Sequence, residues 1–133
     1  MTKAIKEKRF SFKDLKNERL QIPFEFQGNI LFNLYDISQK DYNQITEKYK
    51  DKQYPVKIVE GGKTVIDVEH EETKRENEKI DKLRTVALLI AMTRGEVDFA
   101  EDINEVVNDL EDCGIAIFVE LNKAISEVFR FQG

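Results

Sequence analysis

Three closely spaced apolar helices close this chain, and they constrain its fold more than any other feature. Leu88, Leu89 and Ile90 lie in the first, Phe99, Ile103, Val107 and Leu110 in the second, and residues 115–129 form the third. Between Arg94 and Lys123 there is no basic residue, whereas Glu96, Asp98, Glu101, Asp102, Glu105, Asp109, Glu111, Asp112 and Glu120 are all acidic. Such helices must bury their apolar faces on one another or on a partner, because isolated helices of this length are marginal in water. The closing third therefore reads as a binding body with an acidic surface.

Composition bounds the rest. At 133 residues the chain is one domain. With 41% hydrophobic and 35% charged residues it is neither disordered nor membrane-like. Its main apolar run, residues 86–92, is too short to span a bilayer, and residues 1–10 are charged where a secretory signal needs an apolar stretch. A cytoplasmic protein is expected. Cys113 is the single cysteine, which excludes an internal disulfide and a cysteine-built zinc site; it is expected as a half-buried structural residue near a helix end. His70, inside Glu69-His70-Glu71-Glu72, reads as part of a solvated polar turn, since adjacency does not make ligands converge on a metal. A net charge of −5 argues against nucleic acid. The basic stretch Lys3, Lys6, Lys8, Arg9, Lys13 and Lys16 makes residues 1–16 a basic, flexible arm whose Phe10 and Phe12 are expected to anchor to the core; the other reading is an arm whose aromatics stack on single-stranded RNA.

Residues 20–70 read as the hairpin-rich part. Leu20-Gln21-Ile22-Pro23-Phe24-Glu25-Phe26 alternates with period two, and its proline marks an edge or a strand start. Gln27-Gly28-Asn29 turns the chain into a return strand over residues 30–34. Ser38 is placed to cap a short helix that carries Tyr42, Ile45 and Tyr49 on one face and runs to about Lys50. A second hairpin follows, Val56-Lys57-Ile58-Val59-Glu60 and Lys63-Thr64-Val65-Ile66-Asp67-Val68-Glu69 joined by Gly61-Gly62. The other reading of that stretch is a charged excursion that orders only against a partner.

Residues 71–131 read as the helical part. The first helix begins charged, with Glu71/Arg75 and Glu78/Lys82 at i,i+4 spacing, and turns apolar before Gly95 ends it. The second sets Phe99, Ile103, Val106, Val107 and Leu110 on one face and an acidic stripe of Glu101, Glu105, Asp109 and Asp112 on another. Phe118, Leu121, Ile125, Val128 and Phe129 carry the third. The predicted class is α+β: N-terminal β-hairpins with a short helix, then a three-helix C-terminal bundle.

No catalytic, metal or cofactor site is expected. The carboxylates neighbour one another on solvated faces, with no spacing that builds a desolvated acid/base pair. Gly61-Gly62 lacks the Lys-Ser/Thr of a phosphate loop, and residues 98–112 lack the ligand spacing and central glycine of a calcium loop. The apolar surplus carries more information. Ile115, Ile117, Val119, Leu121 and Ile125 extend around the last helix beyond a single stripe, so part of that surface is expected to contact a partner or a second copy. The candidate contact residues are Phe99, Ile103, Phe118, Leu121, Ile125, Val128 and Phe129.

The order of features, with Ile22-Pro23-Phe24-Glu25-Phe26-Gln27-Gly28, Asp41-Tyr42-Asn43-Gln44-Ile45, Lys82-Leu83-Arg84-Thr85-Val86-Ala87-Leu88-Leu89-Ile90 and Leu121-Asn122-Lys123-Ala124-Ile125-Ser126-Glu127-Val128-Phe129, resembles the tail assembly chaperones of long-tailed bacteriophages. That resemblance implies a non-enzymatic protein of the bacterial host cytoplasm. It would bind the tape-measure protein and/or the tail tube protein before the tail polymerises, and self-association is a further expectation. The 56–68 hairpin is where the chain departs from helical members of the family. Two other classes remain: a small acidic inhibitor or regulatory protein acting through its acidic helix, and a structural head–tail component.

Overall fold

The computed structural model describes residues 11–16 and 18–130. In chain order these form a 3-10 turn, Phe12–Leu15, strands β1 (Gln21–Phe26) and β2 (Asn29–Tyr35), helix α1 (Gln39–Lys48), strands β3 (Val56–Ile58) and β4 (Thr64–Ile66), and helices α2 (Glu71–Thr93), α3 (Ile103–Glu111) and α4 (Ile115–Arg130). The α+β order of hairpins, a short helix and three closing helices matches the sequence pattern.

The first hairpin is built around a two-residue turn. Gln27 and Gly28 both adopt positive φ (53° and 81°), the pattern of a type I′ turn whose twist matches the flanking strands. Phe26 pairs with Asn29, but the register slips after Phe24, leaving Leu31 as the extra residue of a bulge. Pro23 lies opposite Asn33, whose N–H points away from β1 and donates to Glu96 Oε1 at 3.2 Å. At such a position neither N–H serves the ladder, so the proline costs nothing there.

One face of this hairpin anchors the core. Ile22 opposes Leu34, and Phe24 opposes Phe32 with ring centroids 5.0 Å apart. Helix α4 lies against β1 and also reaches β2, α2 packs on β2, and α1 and α3 each pack on α2. Phe24, Leu34, Leu89, Met92, Leu121 and Val128 form the buried cluster, with Ile22, Phe26, Phe32, Ile37 and Phe99 among the residues packed around it. Full burial of each such side chain contributes about 1.5–3 kcal/mol. The three helices therefore complete their core with the hairpin rather than among themselves alone.

Local chemistry sets the element ends. Ser38 Oγ accepts the Asp41 N–H at 3.1 Å and caps α1 as the sequence predicts. His70 does more than sit in a solvated turn: half-buried, it caps α2, its Nδ1 accepting the Thr73 N–H at 3.3 Å with Thr73 Oγ1 at 2.8 Å. Helix α2 closes with Arg94 in the left-handed region (φ 48°) and Gly95 at φ 82°. Lys82 pairs across helices with Glu111 at 3.3 Å rather than along α2 with Glu78.

Three further expectations need correction or placement. Phe12 is 81% exposed and does not anchor to the core; it lies in a 3-10 turn none of whose residues is buried. Cys113 is exposed rather than half-buried; it follows the C-cap of α3, beyond the helix's apolar face, and its thiol donates to the Asp109 carbonyl at 3.4 Å. Residues 1–10 of the basic arm, Phe10 included, and Phe131 lie outside the described residues.

Candidate partner-binding cleft

The amphipathic pattern of α3 and the wide apolar arc of α4 leave a gap where the two helices meet α2. Val86 and Leu89 of α2 and Leu121 of α4 bring apolar side chains to it. Thr85, Val107, Leu110, Phe118 and Ile125 line it with them, and Asp81, Lys82, Glu111 and Asn122 stand among the lining residues as its polar members. The cleft measures about 280 Å³. Small-molecule and cofactor sites usually run to ~300–1,000 Å³ with a few convergent polar groups. This one is smaller and mostly apolar, a size suited to one or two large side chains presented by another chain.

The cleft continues onto the surface. Phe118 (44% exposed) forms part of its lining, and Ile115 (83%) and Val119 (44%) follow it on the outer side of the first turns of α4. Exposed apolar residues joined to an apolar cleft make a contiguous patch, the kind of surface that marks interaction sites.

Among the sequence candidates, Phe118, Leu121 and Ile125 converge on this cleft. Leu121 is 6% exposed and belongs to the core as well as the cleft floor. Val128 is fully buried among Phe24, Leu34 and Met92 and offers no contact surface, a correction that follows from α4 turning that side toward the hairpin. Phe129 packs against the core and meets the Tyr42 ring edge-on at 5.8 Å. Phe99 also packs on the core, and Ile103, half-buried, starts α3; neither lines the cleft. Sequence reasoning passed over Thr85, Val107 and Leu110 as contact residues, and named Ile115 and Val119 only within the wide apolar arc of the last helix. The i,i+3 pair Val107 and Leu110, on the face opposite the acidic stripe, was the available signal.

The acidic stripe lies on the side of α3 turned away from the cleft-lining Val107 and Leu110. Of the acidic stripe, Glu105 and Asp109 are exposed on α3 and Asp112 is its C-cap, whereas Glu101 lies in the preceding loop. On the α2 side, Arg84 donates to the Tyr49 carbonyl at 2.9 Å, to Asp51 at 3.1 Å and to Asp81 at 2.8 Å. Partial burial opposes its charge, but the carboxylates of Asp51 and Asp81 outweigh that and hold its pKa above the ordinary arginine value. This network braces the rim by tying the end of α1 to α2.

Among the described residues no group of three or more His, Cys, Asp or Glu is placed to hold a metal ion, and no helix is long and apolar enough to cross a membrane. Comparison of the chain with protein-family models, with curated proteins and with solved structures returns no match.

Proposed function

We propose that this chain is a non-enzymatic tail assembly chaperone of a long-tailed bacteriophage, acting in the host cytoplasm. It binds helical segments of the tape-measure protein and/or the tail tube protein before the tail polymerises. The observation that carries the reading is the apolar cleft of α2, α3 and α4 with its exposed continuation through Phe118, Ile115 and Val119. A helix laid along that surface buries its own apolar face, and a contact this small releases when a growing tube competes for the same segment.

Co-expression with a candidate tape-measure protein tests it. The client is expected to become soluble and to co-purify, and Phe118→Ser should abolish co-purification while leaving the fold intact, because Phe118 is not in the buried cluster. A client that stays insoluble while this chain elutes alone would reject the reading. The exposed acidic stripe of α3 favours a second one, a small acidic inhibitor or regulatory protein; loss of binding on charge reversal at Glu105, with Phe118→Ser silent, would select it.

A further inference from the structure

We propose that a second copy of this chain covers the outer face of α4 and the mouth of the cleft beside it. The two α4 helices pack antiparallel across a two-fold axis, each Phe118 seated against the other copy's Ile125. The pairing needs no client, so it stands or falls apart from the client-binding reading.

Ile115, Val119, Asn122 and Ser126 stand at i, i+4, i+7 and i+11, which sets them on one stripe of α4. All four are exposed and none is charged. A chain of net charge −5 repels its own copies over most of its surface, and an uncharged stripe is where two copies approach without that cost. The stripe borders the cleft, which Phe118, Asn122 and Ile125 line from α4. Phe118 is a half-exposed projection, while Val86, Leu89 and Leu121 belong to the recess. Projection and recess on one patch are self-complementary, because a two-fold axis brings each projection to the other copy's recess.

With the axis between Glu120 and Leu121, Val119 lies opposite the other copy's Asn122, Ile115 opposite its Ser126, and Phe118 within one residue of its Ile125. The two Asn122 amides then flank the axis, each offering donors and an acceptor to the other. Antiparallel packing opposes the helix dipoles. It also holds the acidic ends of α3, where Asp109 and Asp112 are exposed, at opposite ends of the pair; parallel packing would set them side by side. At 16 residues α4 is about 24 Å long. A face of that length buries on the order of 1,000 Å² over both copies, the low end for a specific interface, so the dimer is weak and exchanges readily.

Sedimentation equilibrium of the intact protein from about 5 to about 500 µM is expected to carry the average mass from near 15.6 kDa toward twice that value. Val119→Glu and the isosteric Asn122→Asp, both at exposed positions, should each weaken association at least about tenfold and leave the melting temperature of the monomer unchanged. Cys113 is the single cysteine and is exposed, so a nitroxide spin label attaches there without any substitution. In the dimer two such labels should lie about 20–35 Å apart, whereas parallel helices would hold them within about 15 Å. A mass that stays at the monomer's across the whole range would overturn the pairing. Association that ignores both variants, labels within the shorter distance, or a mass that climbs past the dimer's would overturn it as well.

Discussion

Glu96, just past the end of α2, accepts the Asn33 N–H at 3.2 Å and the Tyr35 hydroxyl, while the Arg94 guanidinium stacks 5.2 Å from the Tyr35 ring. One exposed carboxylate thereby ties the close of the long helix to the outer edge of β2. The Tyr35 hydroxyl, and next the Asn33 N–H, hold its pKa below the ordinary 4.5. In return Glu96 holds the Tyr35 phenol above 10.0. A depressed folded value means the contribution is complete above the unfolded pKa and is lost as pH falls through the folded one, so the window lies below 4.5. Urea titrations from about pH 7 to about pH 3 should show Glu96→Gln less stable than the parent at neutral pH, with the gap closing in acid. A gap that stays constant across that range would mean that the carboxylate's charge plays no part in the tie.

At the scale of elements, β3–β4 stands apart. Its strands are three residues each, and its ladder is reinforced by Val59 N–H to the Lys63 carbonyl (2.8 Å), Asp67 N–H to the Pro55 carbonyl (2.7 Å) and a Lys57–Asp67 ion pair at 3.4 Å. Val56, Ile58 and Ile66 are nevertheless all exposed. A two-stranded hairpin without a packed face is marginal in water. Its amides should therefore exchange by local opening, far faster than those around Val86 and Leu89 of α2, when followed by hydrogen–deuterium exchange. Ile66→Ser should change global stability by no more than about 0.5 kcal/mol. Protection equal to that of α2 would show that something covers the hairpin in solution.

On the scale of the whole molecule, hairpin and helices share one core, with Leu34 of β2, Met92 of α2 and Val128 of α4 all fully buried in it. Removing side-chain volume at that junction loosens both halves at once. Leu34→Ala is expected to cost about 2–5 kcal/mol, whereas Ile115→Ala on the outer turn of α4 should stay within about 0.5 kcal/mol. Tyrosine fluorescence and far-ultraviolet circular dichroism should trace a single transition in urea for the parent protein. Separate transitions by the two probes would mean that the halves fold independently.

What the sequence determined by itself is what short-range physics decides. Period two bounded by Gly28, Ser38 as a cap, β-branched arms about Gly61-Gly62, and the switch to helical period at Glu71 each depend on neighbours within a few residues. Those elements were legible within a residue or two of where they lie, the β3 and β4 ladders being shorter than their β-rich arms. The candidate site was legible only in part. Ile115 and Val128 are both apolar residues of a helix whose apolar arc is wide, yet one is on the surface and the other at the centre of the core. Only the docking of α4 on β1 separates them, because burial is set by what lies opposite a face and not by the face itself. The same holds for Glu96: its partners Asn33 and Tyr35 stand 63 and 61 residues away, a separation that no local pattern reports and only the packed tertiary structure brings within hydrogen-bonding reach.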